Sequence, residues 1–148
     1  MIVIDSNIFI KLFKEETDYE IAKEFLNYAL IHEIPLCAPD LFKYEVMAIA
    51  QKFRVDISEV EKLIQSYEKV ILSIESLSAK TWKSAISMIQ DGHIKSGFPS
   101  IYDSVYHCLA LEKDFIFLTA DDRHLKKTTK YGGVVLLNEW RTLFEGKK

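Results

Sequence analysis

The chain has 148 residues, enough for one domain with a sizeable core, and its 49% hydrophobic and 28% charged content is that of an ordinary globular fold. A net charge of −3 argues against a strongly basic nucleic-acid glove, but it does not exclude a nuclease, because divalent cations held in an acidic pocket reverse its sign locally. No apolar run reaches the length of a bilayer, and Met1-Ile2-Val3-Ile4-Asp5 has neither the basic region nor the long apolar stretch of a signal peptide, so a cytoplasmic protein without membrane association is expected.

In chain order, the β-branched run Ile2-Val3-Ile4 predicts a short buried strand ending at Asp5. Helical spacing of Ile21, Phe25, Leu26, Ala29 and Leu30 predicts a helix over 18–32. A second strand is expected over 34–38, closed by Pro39-Asp40, then a helix over 41–54 with Phe42, Val46, Ile49 and Phe53 aligned. Ser58 and Glu61 have capping-box spacing and predict a helix over 58–67. A third strand follows over 70–74, then a helix over 78–90 with Trp82, Ala85, Ile86 and Ile89 turned inward. Residues 92–99 read as a loop, 102–113 as an almost wholly apolar helix, 115–119 as a fourth strand and 121–130 as a short polar helix. A fifth strand over 133–137 and a terminal helix over 138–144 complete the pattern. Strands alternating with helices predict a three-layer α/β/α fold around a five-stranded parallel sheet, in one domain over 1–148. Such sheets carry their sites at the carboxyl ends of the strands. If the sheet runs outward through strands two and three and returns past strand one, the first and fourth strands become neighbours and bring Asp5 and Asp121 together.

Four acids mark strand ends or interrupt apolar helix faces: Asp5, Glu45, Asp103 and Asp121. Each also has a structural explanation. Asp5 can cap a helix. Glu45, with Leu41, Phe42, Ala48 and Ile49 at helical neighbour positions, can lie at the edge of its apolar face and reach water. Ser100 and Asp103 have capping spacing. Thr119 can cap the helix whose first turn holds Asp121 and Asp122, so the sequence leaves open which of these two turns inward, with position two past the strand favouring Asp121. Taken together, the four suggest a carboxylate cage for a divalent cation and phosphodiester chemistry. In that reading at least one carboxyl has a raised pKa through repulsion.

Ser6 and Asn7 either orient carboxylates or serve turn chemistry. His107, one turn beyond Asp103, reads either as a group assisting the site or as a hydrogen-bonded histidine at a core edge, and Tyr44, Tyr102 and Tyr106 as packing residues. Arg123, Lys126, Lys127 and Lys130 form either a solvated face or a phosphate-contacting one. Cys37 and Cys108 lack paired spacing and read as buried free thiols; the scattered histidines lack a zinc signature.

The run Ile2-Val3-Ile4-Asp5-Ser6-Asn7-Ile8-Phe9-Ile10 resembles the opening motif of PIN-domain proteins. Pro39-Asp40-Leu41-Phe42-Lys43-Tyr44-Glu45-Val46 is similar to the second motif, Ile101-Tyr102-Asp103-Ser104-Val105-Tyr106-His107-Cys108-Leu109-Ala110 to the third, and Phe117-Leu118-Thr119-Ala120-Asp121 to the fourth. Their order and spacing match across the whole chain. The resemblance implies a ribonuclease dependent on Mg2+ or Mn2+. Asp5, Glu45, Asp103 and Asp121 would be its catalytic acids; Asp5, Asp103 and Asp121 would bind metal; Ser6, Asn7, Thr119 and Asp122 would support them. It further implies the VapC-like group of toxins, with RNA as substrate, a small antitoxin protein as partner and a homodimer. Water would attack phosphorus in line, leaving a 5′-phosphate and a 3′-hydroxyl.

An RNA-processing or structure-specific nuclease without an antitoxin is an alternative, and a short overlapping upstream gene would favour the toxin. A catalytically inactive RNA- or metal-binding domain is a third reading. A phospho-acceptor signalling domain needs paired acids after the first strand, an acceptor Asp after the third and a Lys after the fifth. Here Asp5 stands alone, the third strand ends in Ser73-Ile74-Glu75 and Asn138 follows the fifth, which argues against it.

Overall fold

The computed structural model describes residues 1–146. Its strands are β1 (Ile2–Ile4), β2 (Leu36–Pro39), β3 (Leu72–Glu75), β4 (Ile116–Thr119) and β5 (Val134–Leu136). They form one five-stranded sheet in the order β3-β2-β1-β4-β5, with every pairing parallel. Val3 and Ile4 of β1 and Leu36, Cys37 and Ala38 of β2 are fully buried, as expected of central strands covered on both faces. The strand order reverses between β1 and β4, which places the carboxyl ends of those two strands at the switch point. Backbone pairing continues past β1, where the Asp5 N–H donates to the Leu118 carbonyl at 3.0 Å.

The helices are α1 (Ser6–Ile10), α2 (Tyr19–Ile31), α3 (Leu41–Lys52), α4 (Ile57–Glu68), α5 (Ala79–Ile89), α6 (Ile101–Glu112) and α7 (Asp122–Lys127). They complete a three-layer α/β/α architecture. α6 lies across β1, β2 and β4 and is backed by α5. α2 packs against the terminal segment through Phe25 and Trp140, whose rings meet edge to face at 5.7 Å. Just past the C-caps of α2, α3 and α6 stand residues with positive φ, namely Glu33, Arg54 and Asp114, the left-handed exit that releases the chain toward the next element.

Three local expectations are corrected. The helix predicted from Ser58 starts one residue earlier and is capped by Asp56, which accepts from the Glu59 N–H; Asp56-Ile57-Ser58-Glu59 is itself a capping sequence. Trp82 is half exposed rather than inward-facing, because α5 buries the face through Thr81, Ala85 and Met88, with Ala85 and Met88 packed in a cluster with Val105 and Cys108 of α6. The terminal segment Leu137–Leu143 is a 3-10 helix, not an α-helix. The helix that Asp5 caps, α1, is too short to show helical periodicity in the sequence.

Candidate active site

The chain after β1 turns directly into α1, and Asp5 stands at the junction in extended conformation. Its Oδ1 accepts from the Asn7 backbone N–H at 3.2 Å, so Asp5 is indeed a helix cap. Its Oδ2 reaches across the switch point and accepts from the Thr119 hydroxyl at 2.7 Å. Thr119 ends β4 and its oxygen in turn accepts from the Asp121 backbone N–H at 3.0 Å and from the Asn7 side-chain amide at 3.4 Å. The Asn7 amide oxygen accepts from the Ala120 N–H at 3.3 Å. Asn7 and Thr119 thus stitch the ends of β1 and β4 together around one buried carboxylate.

Glu45 projects from α3 into the same cleft, whose walls include Asp5, Ser6, Tyr102 and Asp103. Glu45 Oε1 accepts from the Tyr106 hydroxyl at 2.7 Å and from the Ser6 hydroxyl at 3.2 Å. Asp103 sits in the first turn of α6, where its N–H donates to Ser100 Oγ at 3.2 Å and the Ser100 hydroxyl donates back to Asp103 Oδ2 at 3.0 Å.

The three carboxyls are electrostatically linked. Burial, reinforced by Asp103, pushes the Asp5 carboxyl up to about 7, against the opposing pull of its Thr119 and Asn7 hydrogen bonds. Burial also raises Glu45, with Asp103 adding to it, and raises Asp103, with Asp121 adding to it. A carboxylate cluster of this kind, ionised only at a cost, is suited to accept a cation or a proton.

The fourth acid stands apart from that cleft wall. Asp121 caps α7, accepting from the Arg123 N–H at 2.9 Å, and pairs with the Arg123 guanidinium at 3.3 Å. Asp122 is more exposed and paired with Lys126 at 2.9 Å, on the solvent side of α7. Of the two, Asp121 is the one whose charge reaches Asp103. The basic stretch is largely engaged locally, with Lys130 bound to Asp91 in addition. His107 turns away from the acids: its Nε2 meets the Gly132 carbonyl at 2.7 Å and its Nδ1 meets His124 Nε2 at 3.1 Å.

A family model described as PIN domain matches residues 2–131 of the chain. The chain belongs to the PIN domain family. No curated protein matches it in sequence. Among solved structures, a toxin–antitoxin complex from Klebsiella pneumoniae superposes with a TM-score of 0.67 at 18% identity, covering 93% of this chain and 98% of that one. VapBC2 from Rickettsia felis, bound to a DNA fragment from its promoter, gives 0.65 at 14% identity over 92% and 97%. VapC20 of Mycobacterium tuberculosis, a toxin that cleaves the sarcin–ricin loop, gives 0.62 at 11% identity over 77% and 84%. At such identities these likenesses establish the shared fold.

In this PIN domain, Asp5, Glu45 and Asp103 come from β1, α3 and α6, far apart in sequence, and line one cleft. The packing reading of Tyr106 holds for its buried ring, but sequence reasoning misses its hydroxyl, which donates to Glu45. The signal was present: Tyr106 lies three residues beyond Asp103, on the same helix face. Among the described residues no three acidic, histidine or cysteine side chains are drawn into a ready-made ion cage. The donor chemistry nonetheless fits a hard divalent cation, since the cleft offers carboxylate oxygens whose mutual repulsion a cation would relieve.

Proposed function

We propose that this PIN domain is a divalent-metal-dependent endoribonuclease that cleaves single-stranded RNA, and that it is the toxin of a type II toxin–antitoxin pair. One observation carries the reading: carboxyls from three separate elements share a cleft at the β1/β4 switch point, each raised by burial and by a neighbouring acid. Residues 1–148 act as a single nuclease domain. Asp5, Asp103 and Asp121, with Glu45, would hold Mg2+ or Mn2+. When bound, the cation supplies positive charge that stabilises the developing phosphate charge and acidifies a water.

The remaining parts follow from this chain's own residues. Thr119 and the Asn7 backbone hold both oxygens of Asp5, so that this carboxylate stays in place as its charge state changes. Ser6 and Tyr106 hold Glu45 Oε1, leaving Oε2 to share in cation binding and in orienting the attacking water. Water attacks phosphorus in line and gives its proton to solvent as the P–O3′ bond breaks; the departing 3′ oxygen takes a proton from solvent, so the products carry a 5′-phosphate and a 3′-hydroxyl. The cations of α7 stand close enough for Lys127 and Arg123 to act on the Asp103 carboxyl, and they are suited to meet the RNA backbone. The likeness to solved toxin–antitoxin complexes supports a small antitoxin protein as partner. A homodimer and a cytoplasmic location belong to the same proposal; no described helix is long and apolar enough to cross a membrane.

The test is cleavage of labelled single-stranded RNA with Mg2+ or Mn2+, against EDTA and against Asp5→Asn. Metal-dependent cleavage that the variant loses is the expected result. Wild-type protein that is folded and binds the cation but cleaves no RNA of varied sequence would sink the proposal.

A further inference from the structure

The geometry points to Tyr106 as a positioning residue that sets Glu45 for cation binding, through the hydrogen bond from its hydroxyl to Glu45 Oε1 at 2.7 Å. The inference rests on the proposed metal-dependent nuclease and adds a residue outside the four acids.

Tyr106 is 1% exposed, inside the nearly all-apolar face of α6. A phenylalanine would fill that space without placing a hydroxyl in the interior, where a polar group costs free energy unless it is partnered. The partner here is Glu45, on a different helix and 61 residues away. The ring is itself held, stacked on Phe117 of β4 with centroids 5.8 Å apart and planes 19° from parallel. β4 is also the strand whose last residue, Thr119, anchors Asp5. The hydroxyl is therefore fixed to the same frame as Asp5, and it carries that frame to Glu45.

Ser6 is the other donor to Glu45 Oε1, at 3.2 Å, and its hydroxyl also lies 3.4 Å from Asp5 Oδ1. It is the longer and the divided contact, so Tyr106 is the stronger anchor. Both donors meet Oε1, and among the described residues Oε2 accepts no side-chain hydrogen bond. The carboxylate is thus held by one oxygen and offered by the other. Asp103 and Tyr106 are one turn apart on α6, so the helix that presents one acid also fixes the position of a second. Hydrogen bonds that orient a metal-binding group typically change metal affinity or activity by about 10- to 100-fold when removed.

The experiment is Mn2+ binding, by calorimetry and by the electron paramagnetic resonance signal of free Mn2+, for the full chain and for Tyr106→Phe, Glu45→Ala and the double variant. Thermal melts confirm folding, and Tyr106→Met, which also lacks the hydroxyl, serves if Tyr106→Phe does not fold. Tyr106→Phe is expected to weaken Mn2+ binding about 10- to 100-fold, and the same change in the Glu45→Ala background is expected to have no further effect. RNA cleavage should fall chiefly in kcat, with KM for RNA little changed. Unchanged Mn2+ affinity in a folded Tyr106→Phe, or an equal loss with and without Glu45, overturns the positioning role and leaves the nuclease reading intact. A wild-type chain that binds no Mn2+ overturns the parent reading, and this one with it.

Discussion

Burial, and then Asp103, lift the Asp5 carboxyl from 3.8 to about 7, so the folded protein holds a proton there that the unfolded chain has released. Between those values the folded state binds more protons, and stability therefore falls as pH rises from about 4 to 7; above 7 the full penalty is present. Each pKa unit corresponds to about 1.4 kcal/mol, and part of the gain from removing the charge is lost with the imperfect hydrogen bonding of an amide. Asp5→Asn is accordingly expected to abolish cleavage while raising metal-free stability at pH 8 by about 1–2 kcal/mol, and to change stability little at pH 4. Denaturant melts at the two pH values check this; a variant destabilised at pH 8 would mark Asp5 as structural. Thr119 acts in the opposite direction, since its hydroxyl favours the ionised Asp5. Thr119→Val keeps the shape of the side chain and removes the donor. It should cost about 1 kcal/mol and move the acid limb of the cleavage profile to higher pH, because Asp5 then ionises later. An unmoved limb with lower activity would assign Thr119 to packing alone.

At the scale of elements, α7 is tied to α6 by a pair of buried histidines. The Gly132 carbonyl can only accept, so His107 carries its proton on Nε2 and presents the Nδ1 lone pair to a proton on His124 Nε2. His124 Nδ1 is then a lone pair buried without a partner. The positive φ of Gly132 and Gly133 shapes this corner, where the Gly132 carbonyl faces His107 and the Gly133 carbonyl accepts from the Phe117 N–H. Burial lowers both rings from 6.5 to about 4. The unfolded chain therefore takes up protons first, and stability is lost as pH falls from 6.5 toward 4, opposite in sense to Asp5. His124→Phe should cost about 1–3 kcal/mol at pH 7 through the unpaired His107 nitrogen, yet lose about 2 kcal/mol less than the wild type between pH 7 and 5. Parallel acid limbs in the two proteins would show that the pair does not govern acid stability. His107 is legible in the sequence as a polar exception on an apolar helix, but its partners are not, since Gly132 and His124 come from segments beyond α6 that no spacing within the helix encodes. The terminal segment departs from the expected α-helix for a related reason: Leu137, Trp140 and Leu143 recur every three residues, a spacing that suits a 3-10 helix as well as an α-helix.

For the molecule as a whole, the alternation of strands and helices was legible because the central strands, covered on both faces, read as unbroken apolar runs, while β1 beside β4 stood only as one possible winding, under which Asp5 and Asp121 would meet. What spacing alone did not resolve was the division of labour among the acids. The sequence reading grouped Asp5, Asp103 and Asp121 as metal ligands with Glu45 as a further catalytic acid, whereas the fold puts Asp5, Glu45 and Asp103 on one cleft wall and engages Asp121 as the cap of α7, paired to Arg123. Local hydrogen bonding, such as the use of Tyr106 by Glu45, depends on how α3 and α6 meet and is invisible in either helix alone. This arrangement makes cation binding a contest with protons. At pH 6 a carboxyl with a pKa of about 7 is ionised in only about one molecule in ten, so the apparent cation affinity should be lower by about tenfold than at pH 8. A ligand at about 100 times its dissociation constant stabilises the fold by about 2.7 kcal/mol, and for a chain of this size each kcal/mol moves the melting temperature by about 2–4 °C. Saturating Mn2+ at pH 8 should therefore raise the melting temperature by about 5–10 °C, a fixed Mn2+ concentration should raise it less at pH 6, and Asp5→Asn should show little response at either pH. The same stabilisation at both pH values would mean that the bound cation does not compete for the Asp5 proton, and would move the metal site away from the β1/β4 cleft.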